Sequence, residues 1–199
     1  MFPKKNLGAV GVMSAFLGLT ATHIITFIIY ILCFRNGGYT DGFETAVTLV
    51  GIAEMLLYFA LTGFFGLLFV YSDDGYSTAS LIFSALISIL ALSARFSIVS
   101  SNTEIFRMLS FIINLSILGL FAVYAVKLKK HGMKQLSVTA LCSGAWLSFI
   151  YIGFKSLAEN NLSEQRVFIL YGLTALISAF CYGVGYYSQR QTFEPYVED

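Results

Sequence analysis

The chain has 199 residues, of which 57% are hydrophobic and 12% charged, with a formal net charge of +1 and a mean hydropathy of +0.78. So few charges cannot solvate a globular surface, and the segments between the apolar runs are no longer than about a dozen residues. A soluble catalytic, nucleotide-binding or nucleic-acid-binding domain is therefore excluded within this chain, the last also because no clustered basic face of the necessary extent is present.

Six apolar runs are each long enough to cross a bilayer as an α-helix, since about 20 residues at 1.5 Å span a hydrocarbon core of roughly 30 Å. The expected fold is all-α: residues 1–199 form a single six-helix transmembrane domain with short loops. The spans fall at about 8–34, 46–71, 76–100, 106–127, 135–157 and 167–188. The first run is too long for a signal-peptide core and is read as the first span. Pro3 and Pro195 are the only prolines and lie outside all six, so any interruption of a helix would have to occur at glycine.

The first span places Thr20, His23, Phe27 and Tyr30 on one face and Gly11, Ser14, Gly18 and Ala21 on another. The small residues predict a close helix contact, because packing replaces the hydrophobic driving force in lipid. The second span carries a stripe of Gly51, Glu54, Tyr58, Thr62 and Gly66, with Leu, Phe and Val opposite. Ser84, Ser88, Ala91 and Arg95 line the third, and Ser110 and Asn114 lie one turn apart in the fourth. The fifth offers Gly144, Ser148, Tyr151 and Lys155, and the sixth Tyr171, Thr174, Ser178, Tyr182 and Gly185.

Orientation follows from the basic residues. With the N-terminus inside, the inner segments hold Lys4, Lys5, Lys127, Lys129, Lys130, Lys134 and Arg190, and the outer ones Arg35, Arg107, Lys155 and Arg166. This bias predicts cytoplasmic termini in a plasma or bacterial inner membrane. The Lys127–Lys134 cluster is read first as a topology determinant and second as a contact for anionic headgroups. In that frame Glu54 and Asn114 lie roughly 12 Å below the outer helix ends, Arg95 roughly 8 Å below, and His23 near the midplane.

A charge in the membrane centre costs at least about 2.5 to 3.5 kcal/mol on insertion scales, so such residues pair or line a wet cavity. The candidate site is an outward-facing polar pocket in which Glu54 pairs with Arg95 and Asn114, Tyr58, Tyr151 and His23 complete the wall. The competing reading is a structural Glu54–Arg95 bridge, or an Arg95 that snorkels to the headgroups. His23 alone more often bonds a neighbouring hydroxyl or carbonyl than a metal, and His131 lies in the basic inner loop. Cys33, Cys142 and Cys181 form no CxxC pair and read as small apolar helix residues. Asn161-Leu162-Ser163 matches a glycosylation acceptor close to the membrane. No metal site or cofactor box is indicated.

Three functions fit this pattern. The first is a transporter, channel or substrate-binding subunit for a small solute, which needs only a polar pocket enclosed by helices. The second is a non-catalytic accessory subunit, or a homo-oligomer, whose stripes bind neighbouring membrane helices; an exposed Gly, Ser and Thr groove on the lipid side would favour it. The third is an intramembrane enzyme using Glu54 and His23, for which no GxSxG, HExxH, paired aspartates or Walker A loop is present. The opening Asn6 through Phe16 (NLGAVGVMSAF) is similar to the start of the six-helix acetate and succinate uptake transporters, which share the short loops and length. It departs from them at Leu7 and Ala9, where those proteins carry prolines, and their aromatic motif around the third helix is not found here. That similarity implies transport and supplies no site residue.

Overall fold

A computed structural model describes residues 4–39, 42–71, 75–99, 103–150 and 163–193. Among them are six helices and no strand: α1 (Lys4–Arg35), α2 (Phe43–Tyr71), α3 (Gly75–Val99), α4 (Thr103–Lys130), α5 (Lys134–Ala145) and α6 (Glu164–Gln191). α5 runs directly into a π-helical turn, Trp146–Ile150. Five of the six are long and apolar enough to cross a membrane. α5 with its π-turn covers the near part of the fifth predicted span, and the remainder, including Tyr151, Lys155 and Asn161, lies outside the described residues.

Polar residues are tolerated in these apolar helices because their hydroxyls fold back onto the preceding turn. Thr20, Thr26, Thr62, Ser88, Ser116, Thr139 and Ser148 each donate to the carbonyl four residues earlier, which removes an unpaired donor from the hydrocarbon. Helix ends are equally self-contained. α1 and α4 both close on a glycine of positive φ, Gly37 at 74° and Gly132 at 80°. In each case the following N–H reaches five residues back, Gly38 to Cys33 and Met133 to Leu128, the paired-bond stop that needs a residue without a Cβ.

The register of the contacts makes neighbouring helices antiparallel. Along α1 and α2, Gly8 meets Leu68, Gly11 meets Phe64 and Gly18 meets Leu57, so numbers rise on one helix as they fall on the other. The same holds for α1 and α6, where Phe16 meets Gly185, His23 meets Tyr182 and Tyr30 meets Tyr171. Each helix packs on its sequence neighbour, and α1 packs along α6, which closes the six into a ring. Both described ends of the chain lie at one end of this ring, here the terminal end; the α1–α2 connection marks the distal end.

The contacts between neighbouring helices of the ring are knob-like. A Cβ added at Gly11 would stand 2.1 Å from the Phe64 ring, one at Gly119 2.4 Å from Phe83, one at Gly144 2.6 Å from Phe121 and one at Gly185 2.6 Å from Phe16. In lipid, where apolar surface gains nothing by leaving the solvent, such close fitting supplies much of the association energy. The small-residue contact of α1 thus exists, but its register differs from the expected Gly11, Ser14, Gly18 and Ala21. Gly8, Gly11 and Gly18 face α2, whereas Ser14 and Ala21 are exposed. Sequence spacing of three and four is shared by two adjacent faces, and only the position of α2 selects between them.

Candidate functional site

On α1, Phe16, His23 and Tyr30 are seven residues apart, which places them on one face at intervals of about 10 Å. Each begins a transverse layer of side chains.

The layer nearest the terminal end is an aromatic plug. Phe16, fully buried, meets Phe121 and Tyr124 edge-on with ring centres 6.2 and 5.9 Å apart. Phe65 of α2 reaches Tyr124 at 6.5 Å. The Tyr124 hydroxyl donates to Gln189 Oε1 over 2.8 Å, so the one polar tip in this layer is satisfied within the protein.

The middle layer is polar. The Tyr182 hydroxyl donates to the Tyr58 hydroxyl, which donates onward to Glu54 Oε1 at 3.1 Å. This order follows from the carboxylate, which accepts when ionised and so takes the Tyr58 proton, leaving the Tyr58 oxygen to accept from Tyr182. Both tyrosines are buried and Glu54 is half-buried. The His23 ring lies on the Tyr182 ring with centres 5.0 Å apart. His23 Nδ1 is 3.1 Å from the Leu19 carbonyl; a carbonyl only accepts, so Nδ1 carries a proton, which in the neutral ring leaves Nε2 as the acceptor nitrogen. One turn from Tyr58 towards the terminal end, the Thr62 and Ser88 hydroxyls are 2.8 Å apart, close enough for one of them to donate to the other in place of its own helix carbonyl and carry the polar layer on to α3.

The distal layer is aromatic again. Tyr30 packs against Tyr171 and Phe43 at 5.3 and 5.9 Å, and Tyr39 bridges Phe43 and Phe168 at 4.8 and 5.0 Å. The polar chain of α1, α2 and α6 therefore lies between two aromatic layers.

Of the residues expected to form a pocket, Tyr58 and His23 meet Tyr182, and Glu54 joins them through Tyr58. Asn114 is half-buried on α4, a helix that packs against α3, α5 and α6, and it makes no hydrogen bond among the described residues. Tyr151 and the side chain of Arg95 lie outside the described residues, and Glu54 forms no ion pair with any described residue. Tyr182 is the residue that sequence reasoning placed in a stripe without assigning it to the site. Its partner belongs to a helix that is not adjacent to its own, which spacing along one helix cannot reveal.

α5 and α6 meet through Trp146, whose indole N–H donates to Ser178 Oγ at 3.3 Å, at the point where α5 widens into the π-turn. Cys33 and Cys181 are buried, Cys142 is exposed, and all three are free thiols. Among the described residues no group of three His, Cys, Asp or Glu is placed to hold a metal ion. No protein family, no characterised protein and no solved structure matches the chain, so the similarity at Asn6–Phe16 stands without a family behind it.

Proposed function

We propose that this multi-pass membrane protein binds a small solute in its polar middle layer and moves it across the bilayer, with the terminal end in the cytoplasm. The observation that carries the reading is the chain Tyr182–Tyr58–Glu54 between two aromatic layers. A half-buried carboxylate in a membrane-spanning helix is costly unless it serves a partner or a wet cavity. Here it is held by a tyrosine from its own helix and backed by one from another. The vertical order of aromatic, polar and aromatic layers matches what a solute pathway needs: a site near the midplane and a removable barrier on each side. Glu54 selects for a solute that brings a hydrogen-bond donor or a positive charge, and His23 Nε2 adds an acceptor.

Thermal unfolding of the purified full chain in detergent, against amines, amino acids, small carboxylates and neutral metabolites, tests this reading. A saturable stabilisation by one class that is lost in Glu54→Gln while that variant remains folded supports it. No stabilisation by any compound, together with a membrane partner that co-purifies in fixed ratio, would instead make the protein an accessory subunit.

A further inference from the structure

At the terminal end, a cavity of about 380 Å³ opens between the α4–α5 turn and the end of α6, lined among others by Gly132, Lys134, Gln135, Tyr187 and Gln191. A second depression of about 640 Å³ runs along the outer face of α6, flanked by Thr20 and Ile24 of α1 and by Thr139 of α5. The two share Leu136 and Tyr187, so they form one continuous feature: a polar head and an apolar tail. We propose that this feature is a docking site for one anionic phospholipid, with its phosphate at Lys134 and one acyl chain along α6. This assignment does not depend on the solute reading.

Dimensions fit that occupant. The groove follows α6 from Tyr187 to Leu176, eleven residues and hence about 16 Å, which is half of a hydrocarbon core of roughly 30 Å and so the depth of one leaflet. Its floor is opened by Gly183, where an added Cβ would find no atom within 4 Å. The walls are apolar apart from Thr20 and Thr139, whose hydroxyls donate to the carbonyls of Phe16 and Gln135, and Tyr187, which stands at the head end shared with the cavity. Beyond Tyr187 the groove therefore offers mainly hydrocarbon contact, which suits a lipid tail better than a polar ligand.

Charge fits as well. The described residues of this end include the bases Lys127, Lys129, Lys130, Lys134, His131 and Arg190, while Asp73, Asp74, Glu194, Glu198 and Asp199 lie outside the described residues. Lys130 lies 5.7 Å from the centre of the Tyr76 ring, while Lys134 is exposed at the cavity itself. Gln135, Gln191 and Tyr187 add neutral donors at the same level. α5 begins here without a side-chain cap, so the dipole of its first turn reinforces the attraction for a phosphate.

The test is a titration of the full chain in detergent micelles doped with phosphatidylglycerol or phosphatidylcholine, with unfolding temperature as the readout. The proposal expects saturable stabilisation by phosphatidylglycerol, apparent affinity about fivefold weaker in Lys134→Gln, as for one basic residue at an anionic surface, and no response in Gly183→Phe. Leu176→Trp, at an already exposed position near the deep end of the groove, gives the same loss if Gly183→Phe does not fold. Equal stabilisation by both lipids would reduce the groove to ordinary hydrocarbon solvation and overturn the proposal. So would stabilisation by inorganic phosphate alone that Lys134→Gln abolishes, which would make the cavity a free-anion site. A lipid-free dimer that Gly183→Phe converts to monomer would assign the groove to a second copy instead.

Discussion

Tyr58 and Tyr182 join hydroxyls inside the bundle although α2 and α6, which carry them, are not neighbours in the ring. α1 packs against both helices, and the ring of its His23 lies against that of Tyr182. Three helices are thereby registered at one height. The Tyr58 oxygen is the pivot, accepting from one side and donating to the other.

Removing that pivot should cost more than removing either end. Tyr58→Phe leaves Tyr182 and Glu54 without the partner between them and is expected to lower stability by about 1–3 kcal/mol. Tyr182→Phe leaves the Tyr58–Glu54 bond intact and should cost less. Unfolding of both variants and of the double variant in detergent gives the coupling, expected at about 0.5–3 kcal/mol. Strict additivity would mean that the chain is not an energetic unit.

Gly185→Ala should destabilise by about 1–3 kcal/mol, because the new methyl meets the Phe16 ring in a fully packed layer. Gly63→Ala is the matched control. It lies within α2, is exposed and has open space around its Cβ direction, so relief of glycine's backbone entropy should leave it neutral or stabilise it by up to about 1 kcal/mol. A comparison of the two unfolding midpoints decides whether the glycine contacts are structural.

How far could this have been read from the residues alone? Helix positions were legible because uncharged runs of this length have few alternatives, and the polar stripe of α6, from Tyr171 to Gly185, coincides with its buried face. The α1 contact was legible in kind and not in register, since Ser14 and Ala21 share their spacing with Gly11 and Gly18 yet turn outward. Nothing local in Trp146–Ile150 signals a π-turn: no glycine or proline interrupts it. The pairing of Tyr58 with Tyr182, 124 positions apart, follows only from the closure of α6 onto α1.

Thiol chemistry offers an independent check of the packing. In the folded, detergent-solubilised chain a small maleimide should label Cys142 alone, since Cys33 and Cys181 are buried. Unfolding in dodecyl sulfate should raise the yield from one label to three. Mass spectrometry of labelled peptides reads this directly, and fast labelling of Cys181 would contradict the packing of α6 against α5, where its thiol meets Ser143.

If the distal aromatic layer is a barrier, thinning it should speed access to the layer beneath. In a chain with its three cysteines replaced by alanine, Glu54→Cys is expected to react faster with a charged thiol reagent added from the distal side when Tyr30→Ala is also present. An unchanged rate would show that Tyr30 and its neighbours do not gate the site.

Orientation is open to a direct readout. A fluorescent protein fused at the C-terminus should mature and fluoresce, whereas alkaline phosphatase at the same point should stay inactive, as expected for a cytoplasmic end. Replacing Lys127, Lys129, Lys130 and Lys134 by Gln together should weaken that preference and yield a mixed population.

Because α1 and α6 are partners along their length, the ring cannot close until α6 has been made. Until α6 leaves the ribosome, Phe16 has no glycine to rest against, Tyr30 lacks Tyr171, and the Tyr58 hydroxyl has no partner beyond its own helix. Five helices must wait in the membrane with a polar seam open, a state of the kind that cellular quality control recognises. Completion of α6 is thus the step that conceals the seam, so a ribosome that stops short of it leaves a product marked for removal by its own unfinished centre.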